Sequence, residues 1–277
     1  YSSVYSDKTY DETEDIKSML RKHVKKWNPI KIEGINLFND IKKLVTIHNE
    51  PVATATWLSH FKIVENIYKS KFDSLFGGLG GDELNAGEYE YFFYRFADIK
   101  FEENSDLLDF EIKKWAEYHN HPIYIKDKEV ALNKMLEVCD LSKKGICLVD
   151  EERKNKYANL LNESRSSINN FKPKMDHFSD SYLNNRTMQD IFYETAPCCI
   201  RAENRQTNYY GINSFLPFYD DRLVDFMLNV NGKYKIKDGI TKYLLRKAMT
   251  EILPNDTIHR IKKTGWNAPS HLWFSKD

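Results

Sequence analysis

The sequence predicts an α/β protein: a parallel sheet with helices on both faces, followed by a mainly helical C-terminal part. In the first hundred residues, short apolar segments of strand length alternate with segments whose apolar residues recur at helical spacing. Such alternation favours a parallel sheet that is covered on both faces. After Tyr89 the periodic segments have mainly helical spacing. We therefore divide the chain into an α/β part, residues 1–100, and a mainly helical part, residues 101–277.

The elements of the α/β part follow from local signals. Residues 1–5 are typical of a strand, and Asp11 followed by Glu14 is typical of a helix start. Apolar residues at helical spacing follow until Pro29 ends that pattern. The other elements predicted here are a strand at residues 30–32, helices at residues 37–45 and 53–69, and a buried strand at residues 72–76.

The helical part contains several segments with a helical period. We predict helices at residues 107–118, 130–137, 157–161, 188–194, 223–229 and 242–252. The sequence shows no internal repeat and no low-complexity segment.

Composition limits the classes of function. The 41 basic and 41 acidic residues cancel, so the chain does not have the basic character of a nucleic-acid-binding protein. It contains no apolar run long enough to span a membrane. Its cysteines, Cys139, Cys147, Cys198 and Cys199, form no C-x-x-C pair. We expect reduced, mostly buried thiols in a cytoplasmic protein that binds neither nucleic acid nor membrane.

A glycine run follows the predicted strand at residues 72–76. Residues 77–87 contain five glycines and the acidic pair Asp82 and Glu83. Successive N–H groups in such a loop can form a nest that binds anions, because glycine allows a close backbone approach. An adjacent carboxylate suits a phosphate group only if a cation such as Mg²⁺ lies between them. The alternative is a tight strand-to-helix turn with acidic residues at the helix N-terminus.

The glycine run also carries a resemblance. The segment G-G-L-G-G-D-E-L, residues 77–84, resembles the S-G-x-G-[SG]-D-E-L loop of the asparagine synthetase family. Further segments resemble motifs of that family in the same order: N-E-P at 49–51, N-R-Q-T-N at 204–208, L-P-F-Y-D at 216–220, G-I-T-K-Y-L-L-R at 239–246 and R-I-K-K-T-G-W-N-A-P at 260–269. Several linked segments in register are more specific than any one of them.

The resemblance implies a fold like that of the adenine-nucleotide hydrolases and an ATP-dependent, amide-forming ligase. Aspartate and ATP would give an acyl-adenylate and pyrophosphate, and ammonia derived from glutamine would then give asparagine and AMP. ATP and Mg²⁺ are the implied cofactors. Because no S-G-G-x-D-S pyrophosphate loop occurs in these residues, we expect a fragment of a longer protein, with that loop and an N-terminal glutaminase domain upstream.

The resemblance also implies a nucleotide site. It assigns ATP binding to Ser3, Gly77, Gly78, Gly80, Gly81 and Asp82. Asp82 would in addition bind the metal ion, while Glu83 would cap the following helix. Arg260, Lys262 and Lys263 form a basic cluster that either faces phosphate or is solvated.

Lys242 is the predicted catalytic residue. A preorganised ammonium there would stabilise charge that develops on the α-phosphoryl group and then on the tetrahedral intermediate. The alternative is a solvated lysine in the first turn of a helix, where the dipole mildly disfavours it.

Three departures from the family pattern keep other functions open. Leu79 stands where asparagine-forming members often carry an acidic residue. Asn213 and Phe215 replace an E-x-R pattern, and Asn204 replaces an aspartate. These changes allow a different carboxylate substrate, such as a sugar or peptide, or a non-catalytic homologue.

Overall fold

A computed structural model of the protein describes residues 1–32, 36–52, 54–119, 125–149, 175–261 and 268–275, without the side chains of residues 21–23. The chain forms two compact units. Unit 1 comprises Tyr1–Leu79, Pro197–Pro217 and Arg246–Asp277, and unit 2 comprises Gly80–Ala196 and Phe218–Leu245.

The secondary structure of the described residues is mixed and mainly helical. The strands are β1 Ser2–Val4, β2 Pro29–Lys31, β3 Ser74–Phe76 and β4 Asn213–Phe215. The helices are α1 Thr13–His23, α2 Leu37–His48, α3 Thr56–Lys69, α4 Gly81–Leu84, α5 Tyr91–Phe101, α6 Ser105–Tyr118, α7 Lys128–Val138, α8 Tyr182–Phe192, α9 Thr195–Tyr209, α10 Asp221–Asn229, α11 Tyr243–Ala248, α12 Asn255–His259 and α13 Ser270–Phe274. Short 3-10 helices are formed by Pro217–Tyr219 and Gly232–Tyr234.

Unit 1 contains two small parallel sheets. Strand β1 pairs with β2, with Ser3 opposite Ile30, and β3 pairs with β4, with Leu75 opposite Ser214. Helix α3 packs against β1 and β2. The mixed α/β class is therefore confirmed, while a single larger sheet with helices on both faces is not shown among the described residues.

The predicted burial of the strand at residues 72–76 is wrong. Phe72 is 56% exposed and Phe76 is 72% exposed. In the described chain β3 pairs with β4 alone, and the Phe76 ring stacks on Phe215, which is itself 48% exposed. The apolar run indicates a strand, but its burial depends on neighbours that a local pattern does not specify.

The core of unit 1 lies between α2, α3 and α9. Leu44 from α2, Trp57 and Phe61 from α3, and Ala202 from α9 are all less than 5% exposed. The predicted helices at residues 37–45 and 53–69 are thus confirmed in the described part of the chain. Each presents an apolar face to this core, as an amphipathic helix does.

The core of unit 2 is built around α5. Nine successive residues of this helix, residues 91–99, are buried, and α6, α7 and α8 pack against it. Trp115 from α6 and Tyr182 from α8 are completely buried in this cluster. Since α5 is enclosed on every side, it is apolar on most of its surface, with Arg95 and Asp98 as charged exceptions.

The helices predicted after Tyr89 are largely confirmed. Those at 107–118, 130–137, 188–194 and 223–229 overlap α6, α7, α8 and α10, and the segment 157–161 lies outside the described residues. The helix predicted at 242–252 is shorter, because Lys242 has a φ of 56° and only Tyr243–Ala248 are helical. No helix in the described ranges combines the length and the apolar character that crossing a membrane requires.

Candidate functional site

The glycine run begins at the end of β3, in unit 1. The backbone N–H of Gly77 donates a hydrogen bond of 2.9 Å to the Phe215 carbonyl, which extends the pairing with β4. A Cβ at Gly77 would lie 2.8 Å from Leu216 Cδ2, so a side chain there would require Leu216 to shift. At Gly78 a Cβ would meet no atom within 4 Å, and this backbone is exposed. Gly78 therefore presents an accessible stretch of backbone.

The run continues in unit 2 with a tight turn into α4. Gly80 has a φ of 92°, a conformation that favours glycine, and a Cβ there would lie 2.8 Å from the ring of Tyr219. Gly81 is the first residue of α4, and a Cβ there would lie 3.2 Å from the ring of Phe218. The two glycines thus let the start of α4 pack against the 3-10 helix that follows β4.

Asp82 and Lys242 form an ion pair in unit 2. The Lys242 Nζ atom lies 2.6 Å from Asp82 Oδ1, and the two side chains are 32% and 30% exposed. The structure therefore brings the predicted metal ligand and the predicted catalytic lysine together. Their roles in chemistry stay predictions.

Backbone hydrogen bonds hold Lys242 in position. Lys242 adopts a left-handed conformation, with a φ of 56°, which costs a non-glycine residue about 1–3 kcal/mol unless its surroundings impose it. Its N–H donates to the Asn85 carbonyl at 3.2 Å, and the next N–H, of Tyr243, donates to the Lys235 carbonyl at 2.9 Å. Lys242 is therefore not a residue of the helix's first turn, as the alternative interpretation supposed. It is a constrained residue just before α11.

Gly87 lies against this ion pair, and the sequence analysis did not select it. A Cβ at this position would overlap both Asp82 Oδ1 and Lys242 Cε. The Gly87 N–H also donates to the Asp82 carbonyl at 2.8 Å. The signal was present, since this glycine ends the glycine run, but nothing in the local sequence tells which side chains it faces.

Glu83 lies in the first turn of α4. It lies inside α4 and is 7% exposed. Burial raises the pKa of Glu83, and the negative charges of Asp82, Asp190 and Glu88 add to this effect. Its role towards the N-terminus of this helix stays a prediction, because Glu83 lies in the first turn of α4.

The other predicted residues belong to unit 1. Ser3 lies in β1 with a half-buried side chain. Arg260 forms ion pairs with Asp15 at 2.7 Å and with Glu12 at 3.6 Å. Carboxylates therefore already engage Arg260, while Lys262 and Lys263 lie outside the described residues.

The described residues do not assemble a protein-only site for Mg²⁺. Within that part of the chain, no group of three His, Cys, Asp or Glu side chains is close enough together to hold a metal ion. Asp82 is a single carboxylate, and Lys242 already neutralises it. Mg²⁺ usually binds one or two carboxylates together with substrate phosphates and water, so Asp82 alone would hold this ion only together with the phosphates of a bound nucleotide.

The described structure is thus a mixed α/β protein in which a glycine run leads to a carboxylate–lysine pair. A comparison with protein families shows that the model for asparagine synthase matches residues 1–277. The chain belongs to the asparagine synthase family.

Individual relatives match shorter segments. The chain is 30% identical over 102 residues to asparagine synthetase [glutamine-hydrolyzing] 1 of Bacillus subtilis (strain 168), which is 36% of this chain and 16% of the relative. It is 38% identical over 61 residues to asparagine synthetase [glutamine-hydrolyzing] 3 of the same organism, which is 22% of this chain and 10% of the relative. The matched segments therefore span well under a fifth of these curated relatives. No solved structure matches significantly.

Proposed function

We propose that the protein is an ATP-dependent, amide-forming ligase that converts aspartate to asparagine. The observation that carries this proposal is the contact between Asp82 and Lys242, at 2.6 Å. Both residues stand at motif positions of the family, and they are far apart in the sequence. Family membership and the two names of its relatives support the same reaction class.

The proposed reaction has two steps. An aspartate carboxylate oxygen attacks the α-phosphorus of ATP, and pyrophosphate leaves with the electrons of the broken P–O bond. Ammonia then attacks the acyl carbon of the adenylate, loses a proton and expels AMP. Negative charge develops first on the α-phosphoryl oxygens and then on the oxygen of the tetrahedral intermediate. The Lys242 ammonium stabilises both charges if it is directed at them.

Asp82 holds the Lys242 ammonium in place before the reaction, and a lysine can change partners because it acts as a compact point charge. When ATP binds with the Mg²⁺ that accompanies it, phosphoryl oxygens compete for Lys242. The exposed backbone at Gly78 and the turn at Gly80 are the proposed phosphate-facing elements of the glycine run, together with Gly77, Gly81 and Asp82.

We propose that the ammonia comes from glutamine through a glutaminase domain that precedes this chain, and that the protein works in the cytoplasm. Detection of an S-G-G-x-D-S loop upstream would support catalysis. A degraded loop there would favour a non-catalytic homologue.

The test measures pyrophosphate release in a single turnover of the intact protein. Lys242→Ala should lower the rate by about 10²–10³, the usual effect of removing one preorganised donor, with little change in ATP affinity. Lys242→Arg should not restore the rate fully, because a planar guanidinium does not replace a point charge. Lys247→Ala, an exposed lysine of α11, is the matched control and should retain wild-type turnover. Unchanged turnover in folded Lys242→Ala would refute the catalytic assignment.

A second candidate is an amidotransferase of the same family that activates another carboxylate, such as a sugar or peptide. The half-buried Leu79 favours it, because a leucine side chain can neither accept nor donate a proton at the amide-forming step. If the intact protein adenylates such a carboxylate and does not adenylate aspartate, the second candidate replaces the first.

A further inference from the structure

A buried carboxylate lies against the first residue of the glycine run. Glu203, on α9, is 2% exposed, and a Cβ at Gly77 would lie 3.1 Å from its Oε1 atom and 3.4 Å from its Oε2 atom. Both residues belong to unit 1. A buried charge is costly unless it is paired, and an unpaired carboxylate here would also repel the phosphates that we propose bind along the glycine run. The groups that neutralise Glu203 therefore matter for that site.

Two side chains are in polar contact with Glu203. The Ser214 hydroxyl, on β4, donates to Oε1, and His60 Nε2, on α3, lies 3.5 Å from Oε2. Burial raises the pKa of Glu203, but the hydrogen bonds from His60 and Ser214 outweigh this effect, so that the pKa lies below its ordinary value. Glu203 is therefore an ionised acceptor, and the proton between it and His60 lies on the histidine.

Gln206 determines which nitrogen of His60 must carry a proton. The Gln206 amide nitrogen donates to the Trp57 carbonyl at 3.3 Å, so its Oε1 atom is the acceptor for His60 Nδ1, at 2.7 Å. A neutral imidazole that is protonated at Nδ1 would direct the lone pair of Nε2 at the Glu203 carboxylate. Only the doubly protonated ring satisfies both neighbours, and the arrangement is therefore an imidazolium–carboxylate pair.

His48 does not compete for this proton. The Gln206 amide nitrogen also lies 3.0 Å from His48 Nε2, and because an amide nitrogen can only donate, His48 Nε2 is an acceptor. Burial lowers the pKa of His48; the charge of Glu50 opposes this effect, and the charges of Arg205 and His60 add to it. His48 is therefore the neutral end of this network.

The neighbouring polar groups have other contacts. Arg205 donates to the His48 carbonyl, Arg201 pairs with Glu50 at 2.9 Å, and the hydroxyl of Tyr5, which follows β1, donates to Ser59 at 2.8 Å. In the part of the chain that the structure describes, His60 is thus the cation in contact with Glu203.

We propose that Glu203 and His60 are positioning residues of the glycine run, and that the proton on His60 keeps this part of the nucleotide site neutral. The inference rests on the proposed binding of a nucleotide at the glycine run. Glu203 holds Ser214, and the next residue, Phe215, accepts the Gly77 N–H at 2.9 Å. The pair therefore supports the strand partner of Gly77 as well as setting the local charge.

The charge of the pair depends on pH. With its proton, the pair has no net charge. When His60 loses the proton, one negative charge remains next to Gly77, and the affinity for a phosphate-bearing ligand should fall. The alternative is that the pair only stabilises the packing of α3, α9 and β4. In that case, its protonation does not affect nucleotide binding.

The first experiment measures the affinity of the intact protein for MgATP by calorimetry between pH 5.5 and pH 8.5. Glu203→Gln keeps the size and the hydrogen bonds of the side chain but leaves no charge when His60 is neutral. Because ATP itself titrates in this range, the quantity compared is the ratio of the two affinities at each pH. The variant should bind like the wild type at pH 5.5 and about tenfold more tightly at pH 8.5, the order expected for one nearby charge.

Glu65→Gln is the matched control. Glu65 is a half-buried carboxylate of α3 that pairs with Lys43 and Lys69, so this variant should keep the pH dependence of the wild type. Equal pH dependence of the wild type and Glu203→Gln would overturn the inference and leave the proposed ligase standing. A wild-type protein that binds no MgATP at any pH would refute the proposed ligase, and this inference with it.

NMR of the histidine ring tests the pair without nucleotide. His60 should lose its proton about one pH unit lower in Glu203→Gln than in the wild type, because the carboxylate no longer stabilises the cation. If Glu203→Gln does not fold, the wild type still decides. Its two His60 ring nitrogens should both have the ¹⁵N shifts of protonated nitrogen at the pH at which MgATP binds most tightly. A neutral His60 ring at that pH would overturn the proposal.

Discussion

Gly87 leaves the space that the Lys242 side chain occupies. A Cβ at Gly87 would overlap Lys242 Cε and Asp82 Oδ1 together, so a side chain here would displace the ion pair from its present position. This steric constraint links Gly87, at the end of the glycine run, with Lys242, the residue just before α11. It gives a way to disturb the pair without altering either charge.

Gly87→Ala should break the Asp82–Lys242 contact and destabilise the protein by about 1–3 kcal/mol, the usual cost of overpacking. Gly78→Ala is the matched control, because a Cβ there would meet no atom within 4 Å. Urea unfolding of both variants measures the difference in the free energy of unfolding. Equal stability of the two variants would contradict the steric argument.

Asp82→Asn should weaken the binding of MgATP while it changes the free energy of unfolding by no more than about 1 kcal/mol. The carboxylate and its lysine are each about a third exposed, and pairs of that kind contribute little to stability. Calorimetric titration with MgATP, beside a thermal melt, checks both statements. Asp225→Asn, at an exposed position of α10, should bind MgATP like the wild type.

Leu79→Glu should accelerate asparagine formation if aspartate is the substrate. The new carboxylate would stand where asparagine-forming members often carry an acidic residue, and it could accept a proton from the attacking ammonia. The rate with aspartate and ammonia is measured in the intact protein. Leu79→Gln, similar in size but without a basic carboxylate, should show no acceleration. Equal rates for both variants, in a protein that adenylates another carboxylate, would favour the second candidate.

Lys235 should make the stability of the protein depend on pH. Burial lowers the pKa of Lys235 from 10.5 to about 7, although the attraction of Asp98 acts in the opposite direction. Between pH 7 and pH 10.5 the unfolded chain keeps a proton that the folded protein has released. The free energy of unfolding therefore rises with pH through this window, by at most about 1.4 kcal/mol per pH unit for one proton. Below pH 7 Lys235 is charged in both the folded and the unfolded protein. The cost of burying this charge then lowers the free energy of unfolding by its full amount.

Lys235→Met removes this titration. The stability of the variant relative to the wild type should be greatest at pH 7 and should decline towards pH 9. Urea unfolding at pH 7, 8 and 9 measures it, with Lys233→Met, an exposed neighbour, as the control. A relative stability that does not vary with pH would show that Lys235 titrates normally in the folded protein.

Local patterns predicted those elements that have one polar face. Helix α2 was predictable because its apolar residues recur on one side, and β1 and β2 because their segments have strand composition. Helix α5 was not predicted, since nine successive buried residues show no periodicity. Helix α9 was missed as well; its sequence, with Pro197 near the start and many polar residues, does not display a clear apolar face.

The candidate site was predictable in its residues and not in its geometry. The glycine run and the family motifs selected Asp82 and Lys242, but only the structure places them 2.6 Å apart. The burial of Arg95 and Lys235 could not be foreseen, because charged residues are mostly exposed and nothing local marks either residue as buried. Contacts between distant segments decide such burial.

The division of the chain also sets the order in which its parts can be completed during synthesis. Unit 2 lies wholly within residues 80–245, whereas unit 1 joins Tyr1–Leu79 to Arg246–Asp277. A ribosome therefore delivers every residue of unit 2 before the last segment of unit 1. The strands β1 and β2 and the helix α3 precede unit 2 in the sequence, so they can join residues 246–277 of their own unit only after unit 2 has been synthesised.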